Sequence, residues 1–135
     1  MRRMVKQVLA VASVAVVALG VSIQPAQADV WWTYTRASGS WIQSAGTAKW
    51  DNVLDRFYLY DNRADGAGVY GEIEYWSLNG TYMGRSSHYW GGGSGTSTSF
   101  SHNYYSGSKV AFRVCLQDNG QVDGLTCSFW KTATG

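Results

Sequence analysis

Two glutamates come closest, by type and spacing, to the acid pair of an enzyme. Glu72 and Glu74 lie two apart in a predicted β-strand, so both face one side, roughly 7 Å apart by strand rise. Glycosidases use paired carboxylates at such separations. Two acids on an exposed strand face are more commonly solvated, and so short a domain leaves little room for a substrate cleft. We therefore expect a protein that is not an enzyme, and keep these two acids as the candidates if it is one.

Aspartates recur in two similar segments that predict turns. Asp61 and Asp65 belong to the sequence DNRADG, and Asp118 and Asp123 belong to DNGQVDG. Asp and Asn side chains bond the nearby backbone and glycine takes positive φ, so turn chemistry explains both segments. Calcium also binds clustered carboxylates, but neither copy has the ligand spacing of an EF-hand loop. We expect turns, with no cofactor and no metal, and keep the four aspartates as weak calcium candidates.

Aromatic side chains form the main candidate surface for a partner. The seven Trp, nine Tyr and four Phe all follow residue 28. Five of them lie at or near predicted strand ends and loops: Trp31, Trp32, Trp76, Tyr89 and Trp90. Exposed rings can form a protein interface or stack on sugar rings, and the same rings can instead pack in a core.

The elements that position these residues are predicted to be short β-strands. Aliphatic residues alternate with polar or aromatic ones over residues 69–76 and 109–116, and Tyr58 and Tyr60 alternate with Phe57 and Leu59. The sequence Asn79-Gly80 then gives a strong hairpin signal. Weaker strand candidates cover residues 30–36, 40–45, 47–50, 82–87, 97–102 and 125–129. Seven or eight short strands predict an all-β domain, either a small antiparallel sandwich or a partly open barrel.

The chain has two cysteines, Cys115 and Cys127, and we expect them to form a disulfide. As metal ligands they would lack a C-x-x-C partner, and two thiolates do not fill a zinc site. They flank the predicted turn 118–124, so they can face each other across a hairpin. Alternation places Cys115 opposite the apolar side of its strand, whereas Cys127 aligns with Leu125 and Phe129. A bulge or an uneven register would reconcile the two.

The first 28 residues predict a cleavable export signal. Arg2, Arg3 and Lys6 make a basic start, residues 8–23 are uncharged and rich in Ala, Val and Leu, and Ala26-Gln27-Ala28 follows Pro25 as a small-x-small cleavage pattern. The apolar run is shorter than the roughly 20 residues of a membrane-spanning helix. We therefore expect residues 29–135 to form a single secreted, extracellular domain without a membrane span.

Removal of the signal changes the charge of the protein. The whole chain has 11 Lys and Arg against 9 Asp and Glu. Three of the cations and none of the anions lie in residues 1–28, so 8 cations and 9 anions remain, a net charge of −1. No basic stripe remains, and we expect no nucleic-acid partner.

Three short segments carry a family resemblance. Ala64-Asp65-Gly66, Val110-Ala111-Phe112-Arg113-Val114-Cys115 and Cys127-Ser128-Phe129-Trp130, with a Gly-rich stretch before the last two, resemble small secreted proteins of Streptomyces-like actinobacteria. The resemblance covers most of residues 29–135 and implies an extracellular β domain without an activity. We expect a secreted interaction protein that binds another protein, as an inhibitor, a toxin component or an adaptor. The alternative is a carbohydrate- or cell-wall-binding module that uses exposed aromatic residues.

Overall fold

The computed structural model describes residues 29–135, and it is an all-β structure of two antiparallel sheets. The predicted export signal, residues 1–28, lies outside the described residues. The two antiparallel sheets confirm the predicted β-sandwich. Among the residues described, no helix is long and apolar enough to cross a membrane.

Nine strands and one turn of 3₁₀ helix make up the described chain. The strands are β1 (Val30–Tyr34), β2 (Gly46–Asp51), β3 (Arg56–Asp61), β4 (Gly68–Trp76), β5 (Tyr82–Trp90), β6 (Thr96–Ser101), β7 (Lys109–Asp118), β8 (Gln121–Asp123) and β9 (Lys131–Thr134), and the 3₁₀ turn is Gly124–Thr126. Sheet I has the order β1-β2-β3-β6. Sheet II has the order β5-β4-β7-β8, and β9 also pairs with β7.

The core lies between the two sheets and is built from alternate residues of their strands. Its largest fully buried side chains are Trp50 and Phe57 from sheet I and Phe112 from sheet II. The Trp50 indole nitrogen donates a hydrogen bond of 2.8 Å to the Thr134 carbonyl, which connects the core to β9. Burial of a side chain of this size contributes roughly 1.5–3 kcal/mol.

The alternation read from the sequence is confirmed in β4 and β7. Val69 and Ile73 are fully buried, whereas Tyr70 and Trp76 lie on the outer face of sheet II and are half-buried. The Asn79-Gly80 turn connects β4 to β5, with Gly80 at a φ of 86° and its amide bonded to the Ser77 carbonyl. Period-two patterning fixes the face of a residue because successive strand side chains alternate.

The segment 40–45 is not a strand, which corrects the prediction for it. It forms a loop whose only ladder contact is an isolated bridge between Ser38 and Trp41. The Ser44 amide bonds the Thr35 carbonyl, and Ser44 has a φ of 61°. This left-handed residue turns the chain directly into β2, which leaves too few residues for another strand.

The disulfide between Cys115 and Cys127 is present, and a short hairpin of β7 and β8 lies between the two cysteines, but Cys127 itself lies beyond that hairpin. The turn after β7 is the two-residue Asn119-Gly120, both at positive φ, and β8 then ends at the 3₁₀ turn. The predicted strand over residues 125–129 is therefore wrong. Cys127 reaches Cys115 from an irregular segment, so no shared register is required of the two cysteines.

Side chains replace the missing ladder along this edge of β7. Thr126 Oγ1 accepts a hydrogen bond of 2.9 Å from the Leu116 amide, and Ser128 Oγ accepts one of 3.1 Å from the Val114 amide. The Ser128 amide in turn donates to the Val114 carbonyl at 2.8 Å. These bonds satisfy backbone groups that a continuous partner strand would otherwise pair.

Candidate binding surface

The solvent side of sheet I carries a cluster of aromatic side chains around one lysine. We call Trp32, Tyr34, Lys49, Tyr58 and Tyr60 the aromatic face. The registers pair Trp32 with Lys49, Lys49 with Tyr58, and Thr47 with both Tyr34 and Tyr60, so all five side chains leave the sheet on one side. Trp32 is 42% exposed and Tyr34 is 49% exposed. An outer sheet face is usually polar, so this cluster is a candidate contact surface.

The rings of the aromatic face contact one another and the lysine. The Tyr58 and Tyr60 rings stack with centroids 6.2 Å apart, and Trp32 meets Tyr60 at 5.7 Å across β2. Lys49 Nζ lies 3.8 Å from the Tyr58 centroid and 5.2 Å from that of Trp32. Such cation–π contacts favour a position of the lysine ammonium between the two rings.

Serine side chains border the aromatic face along β6. Ser99 pairs with Tyr58, Ser97 with Tyr60, and Ser101 with Arg56. The Arg56 guanidinium donates a hydrogen bond of 2.9 Å to the Ser101 hydroxyl. The face therefore combines rigid rings with short, adaptable hydrogen-bonding groups.

The outer face of sheet II is occupied by an ion-pair network around the two predicted acids. Glu72 is only 6% exposed and its two oxygens bind Arg113 and Arg85, the latter at 3.3 Å. Arg85 also binds Glu74, with a hydrogen bond of 2.9 Å from its Nε. This bond to Glu74 is the main cause of the raised pKa of Arg85. Both carboxylates are thus held by guanidinium groups.

The same network includes the ring of Trp130. The guanidinium carbons of Arg85 and Arg113 lie 5.3 Å and 4.8 Å from its centroid. The acid pair is consequently covered on its solvent side by two arginines and a tryptophan. This arrangement is that of a structural network.

The five aromatic residues singled out from the sequence do not share one surface. Trp31 and Trp90 are half-buried and pack against the core. Trp32 belongs to the aromatic face, and Trp76 lies on sheet II beneath Lys109, whose Nζ is 4.2 Å from its centroid. Tyr89 is 49% exposed at the end of β5.

Tyr89 forms one wall of a cleft between two loops. The cleft has a volume of about 470 Å³, and its lining includes Asp61 at the end of β3, Arg63 from the loop that follows and Gly91 from the other loop. The Tyr89 ring lies against Gly68, where a Cβ would come within 2.4 Å of the tyrosine hydroxyl. The Gly95 amide bonds the Asp61 carbonyl at 2.7 Å, which joins the two loops.

The four aspartates considered for calcium serve separate turns. Asp61 Oδ1 accepts from the Arg63 amide, Asp65 Oδ1 from the Ala67 amide, and Asp123 Oδ1 from the Leu125 amide. Asp118 is exposed beside the β7–β8 turn. Burial is the main cause of the raised pKa of Asp61. Over residues 29–135, no group of three or more His, Cys, Asp or Glu is placed to hold a metal ion.

The two histidines meet at the side of the sandwich where β5 and β6 lie. His88 Nε2 and His102 Nε2 are 2.8 Å apart, and His102 Nδ1 lies 3.0 Å from the Tyr104 hydroxyl. The His88 ring stacks on Phe100 at 3.9 Å. Burial lowers the pKa of both histidines, that of His102 to about 4 with a further contribution from His88. Burial likewise raises the pKa of Tyr104.

Sequence reasoning did not single out Tyr34 and Lys49 as members of a surface. The alternation with Phe57 and Leu59 puts Tyr58 and Tyr60 on one face of their strand, but it does not relate them to Trp32, which is 26 residues from Tyr58 in the chain. The sequence does indicate the position of Tyr34, because Tyr34 is two residues after Trp32 in β1 and their side chains point to the same face. The position of Lys49 between two rings depends on the register of three strands, which no local pattern gives.

The fold and the disulfide define a small disulfide-bonded β-sandwich with an aromatic surface. No protein-family model matches the chain, and no curated protein and no solved structure matches it significantly. A functional assignment therefore depends on the geometry of its surfaces.

Proposed function

We propose that this protein is a secreted, non-enzymatic module that binds another protein through the aromatic face. The observation that carries the proposal is the placement of four aromatic rings on the solvent side of sheet I, including the exposed Trp32 and Tyr34. Tyr and Trp are enriched among the residues that dominate binding energy at protein interfaces.

The orientation of the rings favours a protein over a sugar on this face. Lys49 covers Tyr58, the Tyr60 ring stacks on that of Tyr58, and Trp32 contacts both Tyr60 and Lys49. Stacking on a sugar needs a free ring face, and the Tyr58 ring already has Lys49 over it and Tyr60 stacked beside it. Ring edges and tyrosine hydroxyls remain for a partner that packs and hydrogen-bonds.

The border of the face supports the same assignment. Binding loops of antibodies combine Tyr and Trp as rigid anchors with Ser as adaptable hydrogen-bonding residues. Here Ser97, Ser99 and Ser101 of β6 follow the tyrosines of β3. The ion-paired state of Glu72 and Glu74 supports a non-enzymatic role, because their oxygens already bind arginines.

Secretion is supported by the disulfide and by the sequence of residues 1–28. Structural disulfides persist in oxidising compartments and are rare in the cytosol. N-terminal sequencing of the protein recovered from culture medium tests this part of the proposal. We expect the exported chain to begin at Asp29, and a chain retained in the cytosol with Met1 would contradict it.

A pull-down from the culture supernatant of the source organism tests the protein partner. We expect the wild-type protein to retain a stoichiometric protein, and Trp32→Ala and Tyr60→Ala each to reduce retention more than tenfold, as interface anchors do. Tyr105→Ala is the matched control, because Tyr105 is a 75% exposed tyrosine outside the aromatic face. Equal retention by Trp32→Ala and wild type would contradict the assignment of this surface.

Carbohydrate binding is a second candidate, favoured by the cleft beside Tyr89. Its ring is half exposed and lies close to Gly68 and Gly91, and Asp61 and Arg63 also line the cleft. An exposed tyrosine ring beside polar lining residues suits a sugar residue. Co-sedimentation with chitin, cellulose and peptidoglycan tests this candidate, with Tyr89→Ala expected to lose retention. Retention of none of the three polymers would count against it.

A further inference from the structure

The outer edge of β1 is free of any partner strand in the described part of the chain. β1 pairs with β2 alone. The Thr35 amide bonds the Gly46 carbonyl and the Asn52 amide bonds the Asp29 carbonyl, so the odd-numbered residues of β1 direct their backbone groups to β2. In an antiparallel pair the alternate residues direct theirs outward, which leaves the N–H and C=O groups of Trp32 and Tyr34 at the edge. Such an edge can accept an extended segment as an additional strand.

A groove with a volume of about 340 Å³ adjoins the end of this edge. It lies between Thr33, Tyr34 and Arg36, at and just after the end of β1, and the segment 128–131, and Gln43 completes the lining. Phe129 is 78% exposed, and Arg36 lies 4.8 Å from its ring centroid. The groove therefore offers aromatic surface beside an unpaired backbone edge, and it continues the aromatic face through Tyr34.

The far wall of the groove is held in place from both ends. Cys127 is bonded to Cys115, and Ser128 exchanges hydrogen bonds with Val114. Lys131 begins β9 in register with Phe112. The groove is thus formed before any ligand arrives, which lowers the entropic cost of binding.

The charge of the groove indicates the chemistry of its partner. Arg36 and Lys131 line it, and no Asp or Glu does. The ion pairs of the described chain involve Arg85 and Arg113, and neither Arg36 nor Lys131 takes part in one. The groove is therefore a cationic site on a domain whose net charge is −1.

We propose that the groove and the β1 edge bind an extended acidic segment of a partner protein. The segment adds as a strand to β1, an apolar side chain enters the groove beside Phe129 and Tyr34, and carboxylates meet Arg36 and Lys131. This inference rests on the proposed protein-binding function and names the chemistry and the conformation of the bound segment.

Selection from a random 12-residue peptide library on the disulfide-bonded protein tests the inference. We expect enriched peptides to combine two or more Asp or Glu with an aromatic or aliphatic residue, and to shift the amide resonances of Trp32 and Tyr34. The double variant Arg36→Glu/Lys131→Glu should weaken the best peptide at least tenfold. Lys109→Glu is the matched control for Lys131→Glu alone, because both lysines are exposed strand residues and only Lys131 lines the groove. Peptides without an acidic bias, or equal weakening by the Lys109 and Lys131 variants, would overturn the inference.

Backbone methylation separates strand addition from charge attraction alone. Two forms of the selected peptide are compared, one with N-methyl groups on its odd-numbered residues and one with them on its even-numbered residues. The form whose methylated amides face β1 should lose binding, and the form whose methylated amides face away should bind largely as before. Equal binding by the two forms would refute strand addition. If Trp32→Ala and Tyr60→Ala lose the supernatant partner while the groove variants keep it, the proposed function stands and this inference fails. If the protein binds the selected peptides as expected but Trp32→Ala and Tyr60→Ala still retain the supernatant partner, the assignment of the aromatic face as the contact surface is wrong and this inference stands.

Discussion

Gly71 shows how one missing side chain sets the distance between the two sheets. It lies on the inner face of β4, where a Cβ would stand 2.6 Å from Leu59 Cδ2 and 2.8 Å from Phe57 Cε1. The requirement is one of volume, because Leu59 and Phe57 are fully buried core side chains. A methyl group here forces the core apart.

Replacement of this glycine should therefore weaken the fold. We expect Gly71→Ala to lower the free energy of unfolding by about 1–3 kcal/mol, as overpacking of a core does. Urea denaturation followed by tryptophan fluorescence measures the change. Gly124→Ala is the control, since no atom lies within 4 Å of its Cβ position and its φ is not positive. Similar midpoints for Gly71→Ala and wild type would show that the sheets can separate at low cost.

The sequence shows Gly71 in an apolar alternating position but not the reason for it. Its contacts with Phe57 and Leu59 come from another sheet. The inward direction of Trp31 and Trp90 has the same origin. Alternation within a strand shows which residues share a face. Which of the two faces is buried depends on the sheet that packs against it.

At the scale of elements, residue alternation and turn residues predict the strands that are joined by short turns. The alternation in β4 and β7 and the Asn79-Gly80 turn are confirmed because each depends on residues close in sequence. The end of the chain is different. Asp123 caps a 3₁₀ turn through the Leu125 amide, and Thr126 bonds the Leu116 amide, so the segment leaves the sheet where alternation predicted a strand.

The disulfide holds this irregular segment against β7. The cysteines are 12 residues apart, and constraint of the unfolded chain by a loop of this size stabilises the fold by about 3 kcal/mol. We expect Cys115→Ala/Cys127→Ala to lose roughly this amount in chemical denaturation. Reduction of the wild-type protein should give a similar loss and leave the double variant unchanged. A double variant as stable as the oxidised wild type would contradict the expected contribution.

At the scale of the whole molecule, the two open sides of the sandwich differ. The side with β1 and β9 holds the groove, whereas the side with β5 and β6 holds the histidine pair. The groove joins residues 33–36 with residues 128–131, which are more than 90 positions apart in the sequence. Neither stretch contains a motif that indicates the other, so this site could not be predicted from the sequence.

The histidine pair should make stability depend on pH. The pKa of His102 falls from 6.5 to about 4 on folding, so between these values the unfolded chain binds more protons than the folded one. The contribution of His102 to the free energy of unfolding is therefore fully present above pH 6.5 and is lost as the pH falls toward 4. Urea denaturation from pH 7 to pH 4 should show a steeper loss for wild type than for His102→Gln. Equal slopes for the two proteins would exclude the pair as a cause.

The cross-link also determines how the protein would bear a mechanical load. Tension applied at the groove wall passes from Ser128 through the Cys127–Cys115 bond directly into β7, the strand between β4 and the short strands β8 and β9. The 3₁₀ turn and β8 lie within the disulfide loop, so this covalent path bypasses them. In the oxidised protein, roughly 40 Å of contour would remain locked when the domain is pulled apart, given about 3.5 Å per extended residue.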